Sequence, residues 1–374
     1  MTSKLKSIVI VGSGIAAWSV ANAVSFHKRL KITIIGKPNN SYGAQQLSPN
    51  GISSYKKLAQ NVKISNDIKQ LYNLKFSTIK NGCPITLSTY NLNKNNNLYG
   101  SIARSSLLKK LKSSALKNQN IKFENDEVDF FSQEEHNKAK IITHLGKQHT
   151  ADLIIGADGF NGKSRKYVCG NEAKKNKIIF RATSSDIQKI NLSKNILEVF
   201  FTTKGHFVIY PYKENNKDFV NYIFVPNERY QNLLKENLIY NNISVLENLK
   251  WNFTYSFDND VDVATIFKGN VFLFGDAAVP FQPHLAQGGN QILSDAVYLK
   301  NIIKSGISVE SLISNYIKNR FKLKKELKYK SEIVGKIFGF NTVFSIPRNF
   351  IISNFSNQIL DELFSLIWED KYEN

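Results

Sequence analysis

The chain has 374 residues, a length that is enough for two domains with their own cores. Hydrophobic residues make up 42% and aromatic residues 12%, a composition that excludes a mainly disordered protein. The formal net charge of +20 could indicate a nucleic-acid or anionic-membrane surface, but the lysines are scattered and form no basic stripe with aromatic residues, which favours a general compositional bias. Cys83 and Cys169 have neither metal nor disulfide spacing, and no apolar run is long enough to span a bilayer, so we expect a cytoplasmic protein without a transmembrane segment.

The first predicted element is a buried strand that leads through a glycine turn into a helix. Residues 7–11 form an uninterrupted run rich in β-branched residues, which is typical of a strand in a parallel sheet with both faces covered. Gly12, Gly14 and Ala17 follow, at the spacing that lets a pyrophosphate approach the free N–H groups of a helix N-terminus. The alternative is an ordinary glycine turn, but the strand–turn–helix context favours a dinucleotide site.

The second predicted strand, residues 31–35, lacks the acidic residue that usually follows it in such sites. Gly36 occupies that position, and no Asp or Glu precedes Asp67. A carboxylate there normally binds the adenosine ribose. We therefore expect backbone groups, a hydroxyl or water to hold the ribose, and we expect the cofactor to bind more loosely than usual.

The rest of the chain alternates between two types of pattern. Residues 105–117 have helical spacing, and residues 153–155 form another buried strand. Residues 172–265 are instead alternating and aromatic, which predicts antiparallel strands. A buried strand over residues 271–274 and a helix from about 289 to 304 then return to the first type, and helices continue to about residue 368. An α/β pattern thus encloses a β-rich insertion.

Two further turns follow predicted parallel strands. Gly156, Asp158 and Gly159 come after residues 153–155, with Arg165 downstream. Gly275 and Asp276 come after residues 271–274, and the chain then enters a helix through the turn Gln287-Gly288-Gly289-Asn290. A carboxylate at a strand end suits a ribityl hydroxyl, and a helix N-terminus stabilises negative charge on a reduced flavin.

These three motifs, in this order, resemble those of the single-component (group A) FAD-dependent aromatic hydroxylases. The salicylate hydroxylase-like branch is most similar, because residues 46–50, 103–108 and 205–211 also resemble its segments, and the resemblance covers nearly the whole chain. It implies an α/β fold with a Rossmann-like FAD-binding domain, an inserted β-rich substrate domain and C-terminal helices. It also implies FAD as cofactor, NADH or NADPH as co-substrate, and hydroxylation of a small phenolic or aromatic acid substrate by O2 through a flavin C4a-hydroperoxide.

The candidate cofactor-binding residues come from the motifs and from this resemblance. Arg104 and Asp276 are implied to contact FAD, and Asp158 and Arg165 to serve flavin and nicotinamide binding together. The full set is Gly12, Gly14, Ala17, Gln46, Arg104, Asp158, Gly159, Arg165, Gly275, Asp276, Gln287, Gly288, Gly289 and Asn290. The sequence departs from the family pattern at Gly36, at Gly162 in place of Ser, at Val279 in place of His and at Ser294 in place of Glu.

Two histidines and a tyrosine are the candidate catalytic residues. His206 and Tyr210 lie four apart on a predicted strand, and therefore on one face. A histidine near its ordinary pKa suits removal of a phenol proton at neutral pH. His284 follows Pro283 near the expected flavin. The alternatives are a His206 packed between strands with its nitrogens satisfied, and a His284 bonded to the backbone. The expected pocket walls are Phe207, Tyr210, Tyr222 and Phe224, with plain core as the alternative.

The predicted organisation has three parts. They are an FAD-binding domain (1–70, 97–171 and 266–310), a substrate domain (71–96 and 172–265) and a C-terminal helical segment (311–374). We expect a small aromatic substrate and O2 as partners, no metal, no nucleic acid, and a monomer or homodimer. Residues 338–367 are rich in Phe and Ile, so peripheral membrane contact stays open, as does a ubiquinone-pathway type hydroxylase or epoxidase acting on a prenylated ring. A non-catalytic flavin-binding or RNA-associated protein is the remaining alternative.

Overall fold

The structure is a computed structural model that describes most of the chain. The described residues are 5–39, 41–59, 66–80, 83–134, 138–170, 174–185, 195–230, 249–258, 266–304, 308–340 and 344–368. The helices are α1 (Ile15–Val24), α2 (Pro49–Leu58), α3 (Arg104–Ala115), α4 (Lys163–Cys169), α5 (Gln287–Lys304), α6 (Val309–Tyr316), α7 (Lys322–Phe338) and α8 (Ser345–Trp368). The strands are β1 (Ser7–Val11), β2 (Lys31–Ile35), β3 (Ala44–Leu47), β4 (Lys69–Gln70), β5 (Asn73–Lys80), β6 (Cys83–Asn91), β7 (Gly100–Ala103), β8 (Ile121–Glu124), β9 (Val128–Glu134), β10 (Lys138–Thr143), β11 (Gln148–Ala151), β12 (Leu153–Gly156), β13 (Lys174–Ser184), β14 (Ile196–Phe201), β15 (Gly205–Glu214), β16 (Lys217–Pro226), β17 (Asn252–Asp258), β18 (Phe267–Lys268) and β19 (Val271–Leu273).

A mostly parallel sheet forms the first core, in the order β18-β19-β12-β1-β2-β8. Helix α1 packs against it between α3 and α5, and smaller strands cover the other face, so β1 is buried on both sides. This explains its continuous apolar run, because neither face meets water. In the register Val11 lies opposite both Ile35 and Gly156, and Gly156 lies opposite Leu273. The turns that follow these strands therefore leave from one edge of the sheet.

The inserted strands form a second, larger sheet in the order β17-β13-β16-β15-β14-β5-β6. All of its pairings are antiparallel except that between β14 and β5. Helix α8 covers β6, where Ser356 and Ser88 hydroxyls lie 2.6 Å apart and Tyr90 donates a hydrogen bond of 2.8 Å to Asp361. The predicted fold class is confirmed: a Rossmann-like α/β domain carries a β-rich insertion and ends in helices.

A buried ionic cluster joins α5 to the C-terminal helices. Asp295 of α5 accepts hydrogen bonds from Arg320 Nε (2.7 Å), Lys324 Nζ (2.8 Å) and the Tyr316 hydroxyl (2.7 Å). Burial by itself would raise the pKa of Asp295, but Lys324 and Arg320 outweigh it and leave that pKa lowered. One buried carboxylate thus contacts two buried cations.

The outer face of α8 is apolar and exposed. Ile346, Phe350 and Phe355 are respectively 76%, 62% and 48% exposed. Of the helices that the structure describes, α8 included, none combines the length and the apolar character that crossing a membrane requires.

Candidate active site

The three glycine turns predicted from the sequence meet at the carboxyl edge of the parallel sheet. Gly12 has a φ of +117°, and a Cβ there would lie 2.4 Å from the Ala157 carbonyl oxygen, so only glycine allows the first two turns to touch. The third turn adjoins them, because a Cβ on Gly275 would lie 3.0 Å from the Ala16 Cβ. The arrangement brings Gly12, Asp158 and Asp276 into one region.

The N-terminus of α1 has the space that a phosphate group needs. Gly14 is its N-cap and no side chain caps it. A Cβ on Gly14 would meet nothing closer than Asn39 Nδ2 at 3.8 Å. Free N–H groups of a helix N-terminus beside open space favour an anion. These residues fit the pyrophosphate of FAD.

Gly36 has no room for the missing acid. A Cβ on Gly36 would lie 2.7 Å from the Gly12 carbonyl carbon and 2.9 Å from the Ser13 nitrogen. The end of β2 is therefore packed directly against the first glycine turn. A side chain at this position would therefore have to displace the first glycine turn.

We expect Gly14→Ala and Gly36→Ala to act on different properties. Gly14→Ala should leave the stability of the FAD-free protein nearly unchanged and raise the Kd for FAD about tenfold or more, because the methyl group would enter the phosphate space. Gly36→Ala should lower the melting temperature even without FAD, because the backbone must shift. Thermal melting with and without FAD, and FAD titration, check both; unchanged FAD affinity in Gly14→Ala would contradict the assignment.

A cavity of about 450 Å³, here called the front cavity, lies between the edge of the first sheet and the face of the second. Backbone and side chains from both domains line it. The first domain contributes Gln45, Gln46, Arg104, Asp276, Gly288 and Gly289, and the second contributes Ile179, Arg181, His206, Val208, Tyr210, Ile223 and Val225.

The carboxylate of Asp276 lies in the front cavity. No hydrogen bond to it occurs within the described residues, and burial raises its pKa although Lys324 and Arg104 act in the opposite direction. Helix α5 begins nearby, and a Cβ on Gly288 would lie 4.0 Å from Asp276 Oδ1. The ribityl chain of FAD would provide a hydroxyl that donates a hydrogen bond to Asp276. Its ring would take up negative charge beside the N-terminus of α5, where the helix dipole stabilises that charge.

The segment after β3 is bonded to the start of α5. Asn290 Nδ2 donates to the Gln46 carbonyl at 3.2 Å, and its Oδ1 accepts from Ser48 N at 3.2 Å. Gln287 Nε2 donates to the Ser48 hydroxyl at 3.2 Å. Gln46 and Asn290 therefore position the cavity wall. Neighbouring Gln45, which the sequence did not single out, has an unpartnered Nε2 in the described structure.

Asp158 and Arg165 lie beside the site and do not line the front cavity. Asp158 accepts a hydrogen bond of 3.0 Å from Ser164 N and another from its hydroxyl. A Cβ on Gly162 would lie 2.1 Å from the Asp158 Cγ, so the glycine in place of serine makes room for this carboxylate at the start of α4. Arg165 Nη1 donates to the Ala277 carbonyl at 2.5 Å. In this structure both residues position neighbouring turns, and their expected contact with flavin and nicotinamide stays a prediction.

His206 and His284 lie together at one end of the front cavity, with ring centroids 5.4 Å apart. All four ring nitrogens lack a hydrogen-bond partner in the described part of the chain, unlike the satisfied histidines that we kept as alternatives. Burial, followed by His284 and Arg348, holds the pKa of His206 well below its ordinary value. Burial also lowers the pKa of His284 to about 3. The pKa of His206 therefore departs from the near-ordinary value that suits a base at neutral pH, because burial disfavours the charged ring.

Tyr210 lines the front cavity on the same sheet face as His206. Its hydroxyl donates to the Ala44 carbonyl at 3.2 Å, and burial raises its pKa. The other expected walls are wrong: Phe207, Tyr222 and Phe224 pack with Trp251 on the opposite face. Strand alternation puts their neighbours in the cavity, so Val208, Ile223 and Val225 form the floor instead.

Arg181 is a site residue that the sequence analysis missed. It lies on β13 between His206 and Tyr210 in the direction of the strands, and it is paired with Ile223. Burial and the nearby Arg104 lower its pKa to about 10, and no carboxylate pairs with it in the described structure. A half-buried guanidinium without a carboxylate partner is stabilised when an anion binds beside it. The only sequence signal is a single charge inside the run Ile178-Ile179-Phe180-Arg181-Ala182.

Comparison with known proteins gives one family and one fold. A family model described as FAD binding domain matches residues 100–328. No curated protein is similar in sequence. A single-residue variant of HpxO from Klebsiella pneumoniae, solved with FAD, is similar over 97% of this chain and 98% of its own, with a TM-score of 0.81 and 16% identity. 2,6-dihydroxypyridine-3-hydroxylase from Arthrobacter nicotinovorans has a TM-score of 0.74 and 16% identity over 91% and 95% of the two chains. PqsL from Pseudomonas aeruginosa, described as a probable FAD-dependent monooxygenase, has a TM-score of 0.72 and 14% identity over 89% and 96%.

Proposed function

The chain belongs to the FAD binding domain family, whose model matches residues 100–328, and we propose that it is a flavin-dependent monooxygenase that hydroxylates a small aromatic acid with a phenolic hydroxyl. The observation that carries the proposal is the half-buried Arg181, which lies without a carboxylate partner in the front cavity, with His206 on the same sheet face. A hydroxylated aromatic acid would supply a carboxylate that pairs with Arg181 and a phenolic hydroxyl whose proton His206 accepts.

The residues of the first domain would hold FAD. Gly14 leaves space for the pyrophosphate, and Gly12 lets the first two turns touch beside it. Asp276 would accept a hydrogen bond from a hydroxyl of the ribityl chain, and the N-terminus of α5 would stabilise negative charge. The chemistry that FAD supplies when bound is acceptance of a hydride from NADH or NADPH and activation of O2 for transfer of one oxygen atom to a ring carbon.

The residues of the second sheet would bind and activate the ring. Arg181 holds the carboxylate of the substrate by charge-assisted hydrogen bonds. His206 accepts the phenol proton at an unpartnered ring nitrogen, and the charge of the bound substrate supports protonation that burial alone disfavours. Val208, Ile223 and Val225 exclude water beneath the ring.

The test is a screen of phenols and aromatic acids with the FAD-loaded protein. We expect an ortho- or para-hydroxylated acid such as salicylate to stimulate NAD(P)H oxidation and to give a hydroxylated product by mass spectrometry. A prenylated phenol serves as the comparison for the ubiquinone-pathway alternative. Stimulation without product, or product only from the prenylated ring, would contradict the proposal.

Arg181→Gln should raise the KM for the aromatic acid at least about tenfold, since the charge pair between the half-buried guanidinium and the substrate carboxylate is lost. The matched neutral substrate is the corresponding amide, whose KM should change little. Steady-state kinetics with both substrates check this. An equal effect on acid and amide would show that Arg181 acts on folding or on the flavin, and would remove it as the carboxylate site.

A further inference from the structure

A second cavity of about 510 Å³, here called the rear cavity, lies on the far side of the histidine pair. Its walls come from β13, from the ends of β15 and β16, and from the last turn of α7. The residues that the argument uses are Lys177, Thr203, Asn227, Glu228, Gly335 and Lys336. The cavity is larger than an aromatic ring with small substituents needs.

The rear cavity and the front cavity share three lining residues, His206, Val225 and His284. The two cavities are therefore separated by little more than the imidazole pair. A Cβ on Gly335 would lie 2.4 Å from the His284 ring, so α7 approaches this ring as closely as only a glycine permits. The partition consists of neutral rings with unpartnered nitrogens, which offer donors and acceptors to a polar molecule that passes them.

The rear cavity has a positive charge and a free acceptor. Lys177 has a side chain only 18% exposed, and the charge of Lys177 contributes to the lowered pKa of both histidines. Lys336 is exposed on α7 and forms no ion pair in the described structure, whereas the acid Glu228 is 84% exposed and 3.8 Å from Lys177. Asn227 is 4% exposed, and its Oδ1 has no partner in the described residues.

The position of the rear cavity matters because FAD would use the other side of the front cavity. Arg104, Asp276 and the start of α5, which fit FAD, belong to the first domain. Arg181 and His206 belong to the second sheet, and His206 directly borders the rear cavity. A ring that approaches from the rear reaches these two residues without displacing the cofactor.

We propose that an anionic aromatic substrate first binds in the rear cavity and passes the histidine pair from there into the front cavity. This inference rests on the proposed function for the identity of the substrate class. Lys177 and Lys336 attract the carboxylate, and Asn227 Oδ1 accepts a hydrogen bond from the phenolic hydroxyl. The final partner of the carboxylate is Arg181.

The test measures association and not turnover. Salicylate and its neutral amide, salicylamide, are mixed by stopped flow with the oxidised FAD-loaded protein, and the change in flavin absorbance gives the association rate constant. Lys336→Glu should lower the association rate constant of salicylate about three- to tenfold at low salt. It should change that of salicylamide little, because the substitution removes an electrostatic attraction for an anion. Lys322→Glu is the matched control, since it makes the same charge change on the same helix about 21 Å away.

Thr203→Trp tests the route sterically. Thr203 is exposed on the turn between β14 and β15, so the larger side chain would narrow the rear cavity without entering the core. Thr203→Trp should lower the association rate constants of both salicylate and salicylamide, and Thr203→Val should lower neither. Normal rates in Lys336→Glu and Thr203→Trp, equal slowing by Lys322→Glu, or no absorbance change with either probe would overturn the proposal. Because no NAD(P)H is present, these results are independent of whether a hydroxylated product forms.

Discussion

His206→Ala is expected to lower the rate of hydroxylation about 10²- to 10⁴-fold, the usual contribution of a general base. His206 is buried on β15 and lines the front cavity with its nitrogens unpartnered in the described structure. The rate of flavin reduction by NAD(P)H should stay close to that of the unchanged protein. Rapid-quench product analysis and anaerobic stopped-flow reduction measure the two steps separately.

The control and the pH dependence separate a proton-accepting role from a packing role. His144→Ala, at an exposed position, should change neither step. Since burial lowers the pKa of both His206 and His284, the unfolded chain binds protons below about 6.5 that the folded chain does not. Stability is therefore fully present above this pH and falls as the pH is lowered, and His206→Ala should reduce this loss. Full hydroxylation by His206→Ala would remove the residue from the mechanism.

Asp295→Ala should destabilise the protein by about 3–5 kcal/mol, because it removes the carboxylate that both buried cations, Arg320 and Lys324, contact directly. The two cations have side chains only 2% and 1% exposed. Chemical unfolding monitored by circular dichroism measures the change in the free energy of unfolding. Asp295→Asn, which keeps hydrogen-bonding capacity but not charge, should also be strongly destabilised.

A surface pair on α7, the helix that carries Lys324, provides the control for Asp295. Glu326 pairs with Lys330 one turn away, with half-exposed side chains, and Glu326→Ala should change the free energy of unfolding by less than about 1 kcal/mol. A loss of only about 1 kcal/mol in Asp295→Ala would show that water reaches the cluster and compensates the cations.

The sequence predicted those parts of the fold in which one sequence pattern corresponds to one local structure. A doubly buried strand needs a continuous apolar run, as in residues 7–11, and the carboxyl ends of parallel strands meet at one edge. That is why turns distant in the chain, at Gly12, Gly156 and Gly275, could be assigned to one place. Alternation likewise put His206 and Tyr210 on one face.

The parts that sequence reasoning missed depend on packing between distant elements. Both faces of the second sheet are apolar and buried, so alternation could not decide whether Phe207 or Val208 lines the cavity. The direction of the Asp158 carboxylate depends on the space above Gly162. For Arg181 the decisive fact is the lack of a carboxylate partner in the described structure, which no linear pattern contains.

The contact between Gly36 and the first glycine turn bears on how the enzyme would behave at low flavin supply. Because no carboxylate binds the adenosine ribose, we expect part of the protein to lose FAD when it is diluted during purification. Added FAD should restore both the flavin absorbance and the melting temperature. A hundredfold excess over the Kd would add about 2.7 kcal/mol to the free energy of unfolding. The rate of product formation in the cell would then depend more on the concentration of FAD than on the amount of the protein.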